Sequence, residues 1–225
     1  MNIQECRTDA SQSTPPIALS RVVSGVTTLG AGRRVGIWVQ GCALACTGCA
    51  SIDTWDRIGG TPVSAEDLAE QVLTFMRRDR LTGITLTGGE PVDQSPGLAR
   101  MLDMVARDSV GAELDILMFT GYAVQAARKR GAELFARIDT VIAGPYRQGN
   151  PSSQPLIASS NQQLVHLTER GAGRQEEYPP RKRLQLLAQD GDLTLVGLPA
   201  PGDLEEFRMK LAVRGVELGG VSWQA

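Results

Sequence analysis

Three cysteines fall within eight residues, Cys42, Cys46 and Cys49, in a CxxxCxxC spacing that Gly41 enters and that carries Gly48 before the last thiol. Glycines let a backbone turn tightly enough for such a loop to wrap one soft metal centre. Three thiolates are one fewer than a closed site takes, since an iron–sulfur cube normally has four cysteines and a structural zinc four ligands. The set therefore either borrows a ligand or leaves one metal position open to chemistry. Zinc completed by His166 or Cys6, or a disulfide between two of the cysteines, are the plainer readings. No cysteine–histidine pair at the usual zinc spacing follows, and His166 is the single histidine of the chain.

A second signal lies where the apolar run 83–86 leads into Thr87-Gly88-Gly89-Glu90-Pro91. Without a ligand this would be an ordinary strand-to-helix turn. Downstream stand Thr120-Gly121-Tyr122 after an apolar stretch, the turn Gly144-Pro145-Tyr146, and Ser159-Ser160-Asn161-Gln162 ahead of Leu164-Val165-His166. With these motifs in this order, from about residue 22 to 167, the chain resembles the radical S-adenosylmethionine enzymes. It is most similar to the small activating proteins of anaerobic ribonucleotide reductase and pyruvate formate-lyase. Thr54-Trp55 also matches their pattern, whereas Ala143 stands where they usually carry an acidic residue.

The resemblance implies a 4Fe–4S cluster on Cys42, Cys46 and Cys49, with S-adenosylmethionine chelated at the fourth iron through its amino and carboxylate groups. Reductive cleavage would then give a 5′-deoxyadenosyl radical for hydrogen abstraction. The implied partners are a glycyl radical enzyme and an electron donor such as flavodoxin or ferredoxin. On the cofactor side the resemblance places Gly48, Gly88, Gly89 and Glu90. Gly88 and Gly89 would meet the methionyl ammonium, and Glu90 would either accept from it or pin the turn. Thr120 and Tyr122 are expected to line the adenosine pocket, and Asn161 and Gln162 to offer amides to ribose or carboxylate. Two other readings remain open: a radical enzyme acting directly on a peptide or small metabolite, and an iron–sulfur electron-transfer or assembly factor that leaves the sulfonium intact.

Positioning these residues falls to alternating strands and helices. A short β-branched run at 21–26 reads as an edge strand or hairpin partner, and residues 34–40 read as a buried strand ending where the cysteine loop begins. Ser64, with Asp67 three residues on, has a capping-box pattern and opens a helix, with Leu68, Val72, Leu73, Phe75 and Met76 as its apolar stripe and Gly83 as its stop. A second helix at 95–107 turns Leu98, Met101, Leu102 and Val105 inward. Residues 114–119, 140–143 and 163–167 read as strands and 123–130 as a helix. The fold class expected is α/β, a partial, open (βα) barrel with mainly parallel strands. Its ligand end is the carboxyl end of the strands.

The expected domains are a flexible arm at 1–20, the core at 21–168, a linker at 169–183 and a C-terminal appendage at 184–225. Gln189-Asp190-Gly191-Asp192 between two apolar runs signals a hairpin. Asp203 is expected to cap a helix through Val213, and 216–218 to form a last strand, completing a β-β-α-β unit. The loop 148–154, rich in Gly, Asn, Pro and Ser, is expected to need a partner or substrate to fix it.

The 225 residues suffice for one well-buried domain with a small addition. A net charge of −2 gives no general attraction to nucleic acid or anionic membrane, and Arg181-Lys182-Arg183 reads as a solvated surface. Residues 1–20 lack the basic start and apolar stretch of a secretory signal, so a cytoplasmic location with reduced thiols is expected. Cys6 reads as incidental.

Overall fold

The computed structural model describes residues 14–109, 114–179, 184–189 and 192–217. Cys6, most of the expected arm, the basic run 181–183, the hairpin turn residues and the end of the expected last strand lie outside them. The core is a seven-stranded open sheet in the order β3-β1-β2-β4-β5-β6-β7. Its strands are β1 (Ile17–Val26), β2 (Arg34–Val39), β3 (Thr61–Val63), β4 (Gly83–Gly88), β5 (Asp115–Thr120), β6 (Thr140–Ala143) and β7 (Gln163–His166). The central strands β2, β4, β5 and β6 run parallel, and β1, β3 and β7 flank them antiparallel. The open α/β sheet with a parallel centre is thus the architecture the sequence indicates. β1 begins at Ile17, fully buried, so its first residues belong to the sheet rather than to the arm.

Period-two alternation divides each central strand between two faces. Val35, Ile37, Val39, Ile84, Leu86, Ile116, Met118 and Val141 join one large core with the helices α1 (Ala65–Asp79), α2 (Ser95–Asp108), α3 (Val124–Arg130) and α4 (Ala132–Phe135). α1 starts as its cap dictates, with Ser64 Oγ accepting from the Asp67 N–H at 3.0 Å. It stops at Arg80, left-handed at φ 51°, three residues before Gly83, which starts β4 as expected. All four helices cover the same face, as right-handed β-α-β crossovers require.

The opposite face holds a feature that sequence reasoning missed. Arg34 is fully buried at the amino end of the parallel strands, opposite the cysteines. Its guanidinium donates to Asp115 Oδ2 at 2.5 Å, Thr85 Oγ1 at 2.7 Å, the Ile84 carbonyl at 2.6 Å and the Asp115 carbonyl at 2.9 Å. Room for it comes from Gly83 and Gly30, where an added Cβ would lie 2.5 Å from Nη1 and 2.7 Å from Nε. Desolvation lowers the Arg34 pKa, and the Asp115 charge opposes that shift. The pair fills the amino end of the open sheet on this face.

The stretch expected as a linker is packed structure. α5 (Glu169–Gly173) and a 3₁₀ turn at Gln175–Glu177 cross the sheet base. Gly171 sits where a Cβ would meet the Asp139 carbonyl at 2.4 Å, and Tyr178 is buried, with its hydroxyl 3.3 Å from Thr140 Oγ1. β8 (Leu184–Gln189) and β9 (Asp192–Gly197) form the expected hairpin, with Gln189 opposite Asp192. α6 (Asp203–Ala212) follows, but Gly202 is its N-cap and Asp203 its first helical residue, accepting from the Ala200 N–H at 2.7 Å. Val216 and Glu217 are not in a strand. No helix among the described residues is long and apolar enough to cross a membrane.

Removing one partner of a buried ion pair strands the other charge, at a cost of about 3–5 kcal/mol. Asp115→Ala is expected to destabilise by that amount in urea unfolding, with Arg34→Met in the same chain recovering part of it. A loss below about 1 kcal/mol, the usual value of an exposed pair, would contradict the assignment.

Candidate active site

The cysteine loop leaves the carboxyl end of β2 and is tied down almost wholly through backbone. The Gly41 and Cys42 N–H groups donate to the Thr54 and Trp55 carbonyls at 2.8 and 3.1 Å, which is the use the fold makes of the Thr-Trp pair. Gly41 at φ 97° and Gly48 at φ 78° are left-handed, as is Ala45 at φ 44°, a conformation that costs a non-glycine residue energy. Each thiol has a backbone N–H directed at its sulfur. Leu44 and Ala45 serve Cys42, Tyr146 serves Cys46, and Ser51 donates to Cys49 Sγ at 3.4 Å. Burial pushes the Cys42 and Cys46 thiols up, so in the metal-free chain they hold their protons and the N–H groups await thiolates.

The Gly-Gly-Glu turn ends β4 and grips this loop. Gly89 N–H donates to the Val39 carbonyl at 2.8 Å and Glu90 N–H to the Gly41 carbonyl at 2.9 Å. A Cβ on Gly89 would stand 2.4 Å from that Gly41 oxygen, and one on Gly88, itself at φ 95°, would stand 2.7 Å from the backbone of Trp38 and Val39. The glycines are demanded by strand-to-loop packing before any ligand is considered. For Glu90, which the sequence left between two roles, the fold uses the carboxylate as a pin. Oε1 accepts from Val92 N–H at 3.0 Å and Thr120 Oγ1 at 2.8 Å, and Oε2 from Gly121 N–H at 2.8 Å.

These elements open on one cavity of about 200 Å³, lined among others by Cys42, Cys46, Gly48, Cys49, Gly88, Gly89, Glu90, Thr120 and Gln162. Tyr122 and Asn161 are not in that lining. Tyr122 turns away, with its hydroxyl 3.1 Å from Asp93 Oδ1 and the Arg130 guanidinium 4.6 Å from its ring centre. Asn161 and Gln162 donate to the Pro145 and Gly144 carbonyls at 2.8 and 3.1 Å, fixing the turn whose Tyr146 N–H faces Cys46. The Asn161 Oδ1 atom is buried without a partner. His166 lies at the other end of the sheet, between Thr140 Oγ1 at 3.1 Å and Gln175 Oε1 at 2.9 Å, and does not line the cavity. Ala143 packs in the helix-side core and does not line the cavity.

Sequence reasoning missed Arg21, Trp38 and Phe119, which also line the cavity. Trp38 follows from alternation in β2, and Gly36 beneath it is the signal, since a Cβ there would meet the indole at 2.4 Å. The loop 148–154 is held by its own chain. Leu156 and Ile157 are buried, Ser160 N–H donates to the Asn150 carbonyl at 2.7 Å, and Gln148 lies over Gly48.

The donor set fits an iron–sulfur cluster. Three free cysteines face one space with N–H groups at their sulfurs, the environment that tunes such clusters. Among the described residues no three His, Cys, Asp or Glu side chains converge on a single ion.

Burial of Glu90 pushes its carboxyl from 4.5 up to about 7 against the pull of the Val92 and Gly121 N–H groups and the Thr120 hydroxyl. The folded state therefore holds the extra proton. This contribution to stability is complete below pH 4.5 and is lost as the pH rises through about 7. Cluster-free wild-type protein is expected to lose up to about 3 kcal/mol over that window that Glu90→Gln does not lose. Urea midpoints of both proteins at the two ends of the window check this, and parallel profiles would refute it. Gly89→Ala is expected to cost about 1–3 kcal/mol and to lower the iron retained after anaerobic reconstitution.

Residues 28–166 match the family of 4Fe-4S single cluster domains. The anaerobic ribonucleoside-triphosphate reductase-activating protein of Enterobacteria phage T4 is 28% identical over 142 residues, 62% of this chain and 88% of that protein. Its namesake in Pasteurella multocida is 29% identical over 142 residues, 61% of this chain and 89% of that protein. The pyruvate formate-lyase 1-activating enzyme of Escherichia coli K12 is 38% identical over 145 residues, 64% of this chain but 57% of that longer protein. Motifs, donor set and relatives agree, and the chain belongs to the 4Fe-4S single cluster domain family, among the radical S-adenosylmethionine activating proteins.

Proposed function

We propose that this protein is an activase that installs a glycyl radical on a separate protein; its relatives are named for activating another enzyme, a ribonucleoside-triphosphate reductase or pyruvate formate-lyase. One observation carries the reading: three thiols and the Gly88-Gly89-Glu90 turn line a single cavity at the carboxyl end of the parallel strands. When bound, a 4Fe–4S cluster with S-adenosylmethionine supplies reductive cleavage to methionine and a 5′-deoxyadenosyl radical that takes a hydrogen atom.

The chain's own part is to hold and orient. Cys42, Cys46 and Cys49 are the cluster ligands, and no fourth protein donor from the described residues lines the cavity as a thiol or imidazole. Gly88 and Gly89 offer backbone without side-chain bulk to the methionyl end, while Glu90 fixes the height of that backbone against β5. Thr120 and Gln162 line the cavity beside the thiols and would bound the nucleoside of the cofactor, while Asn161, outside that lining, keeps a buried Oδ1 without a partner. Holding the cluster and S-adenosylmethionine in one fixed arrangement would lower the entropic part of the barrier to their reaction. The electron donor is proposed to be a low-potential carrier such as flavodoxin or ferredoxin, and the protein to work in the cytoplasm.

Anaerobically reconstituted protein given S-adenosylmethionine and dithionite is expected to form 5′-deoxyadenosine. Cys42→Ala, Cys46→Ala and Cys49→Ala should each abolish the charge-transfer absorbance of the cluster and bring that product to the level of reductant alone. A bound cluster that yields no 5′-deoxyadenosine would favour an electron-transfer or assembly role instead.

A further inference from the structure

The family match ends at residue 166, yet residues beyond it complete the cavity. The two sides differ in chemistry. The core side mixes the thiols, Arg21, Glu90, Thr120 and Gln162 with Trp38, Leu44 and Phe119. The C-terminal unit contributes Leu184, Leu195, Val196, Leu198, Pro199 and Leu204. Among its described residues, none with a charged or hydrogen-bonding side chain joins that lining.

Strand register shows how this wall is made. Leu184 pairs with Gly197, Leu186 with Leu195 and Ala188 with Leu193, so alternation places Leu184, Leu186, Leu193 and Leu195 on one face of the hairpin. Its other face is the anchor. The Gln185 amide accepts from Thr27 N–H at 2.9 Å and donates to the Gly25 carbonyl at 3.0 Å, as a neighbouring strand would. Val196 and Leu187 pack against Val23, Val26 and Trp38. The free face thus begins inside the cavity at Leu184 and Leu195 and continues outward to Leu186 and Leu193, which are 49% and 62% exposed.

An apolar strip running out of a reaction cavity marks a binding surface. A charged metabolite pressed against it would surrender hydration without a partner, whereas an extended uncharged peptide would lay alternate side chains on the leucines. We propose that this face of the hairpin seats an uncharged, apolar peptide segment of the partner protein and delivers its target glycine to the cavity. The proposal rests on the activase reading and adds what the partner must look like around that glycine. In the step itself the glycine Cα–H bond breaks, the hydrogen atom passes to the 5′ carbon of the cofactor fragment, and the peptide keeps the unpaired electron. A one-electron reductant supplies the electron that opened the sulfonium.

The test uses the reconstituted full chain with dithionite and a capped peptide, Val-Leu-Gly-Val-Leu, deuterated at the glycine Cα. Its counterpart carries aspartate in place of both valines. Binding is read by calorimetry and transfer by deuterium in 5′-deoxyadenosine. The protein variant is Leu186→Glu with Leu193→Glu, two exposed positions outside the cofactor lining. The apolar peptide is expected to bind and to label the product. The aspartate peptide, and the variant given the apolar peptide, should each lose about tenfold or more in both readouts, while peptide-free 5′-deoxyadenosine formation stays unchanged. Failure of the apolar peptide to bind, or equal binding and labelling across the two peptides or the two proteins, overturns the proposal. Absence of 5′-deoxyadenosine from the wild-type chain would instead sink the activase reading on which it stands.

Discussion

The contact on which the site depends is the closure of the Gly-Gly-Glu turn on the root of the cysteine loop. Gly89 lies so close to the Gly41 carbonyl that any side chain would force the two apart, and Glu90 clamps the arrangement from both ends. Its backbone N–H holds Gly41 while its carboxylate reaches Thr120 and Gly121 on the next strand. One residue therefore couples the ends of β2, β4 and β5. The metal-binding loop carries two left-handed glycines and a left-handed alanine and has little packing of its own, so its shape is borrowed from this junction.

The rest of the fold supplies a frame for that junction. Helices bury one face of the parallel strands, and the Arg34–Asp115 pair fills the other face at the base, where nothing reactive is needed. A fan of hydrogen bonds from the Arg34 guanidinium satisfies most of the polar interior there, although Asp115 Oδ1 is left without a partner, and the cavity with the thiols lies at the carboxyl end. Tyr146 shows the same economy, because the turn that aims its N–H at Cys46 is itself held by the amides of Asn161 and Gln162. Residues far apart in the sequence act on the sulfurs through backbone rather than through side chains.

That economy explains what could be read beforehand. The strands and helices were legible because apolar alternation and the Ser64 cap are local signals, and the cysteine spacing named its own chemistry. Roles set by distant packing were not. Nothing near Arg34 in sequence announces a buried ion pair with Asp115, eighty-one positions away. Tyr122 bonds Asp93 outside the cavity lining, and Asn161 and Gln162 act as braces, Gln162 also lining the cavity. The stretch 169–183 reads as a linker from its Gly, Glu, Pro and Arg content, yet Gly171 and Tyr178 within it are fitted to the sheet. The C-terminal hairpin was visible as a hairpin, but its leucines gained meaning only when β9 was found beside the cysteines.

All of this turns on one iron having no protein ligand, so that the cofactor can take its place. Electron–nuclear double resonance on the reduced cluster, with S-adenosylmethionine carrying nitrogen-15 in its amino group, addresses that directly. The account predicts a nitrogen-15 coupling that appears on adding the cofactor and vanishes with unlabelled material. A cluster spectrum indifferent to S-adenosylmethionine, or zinc found in place of iron, would contradict it.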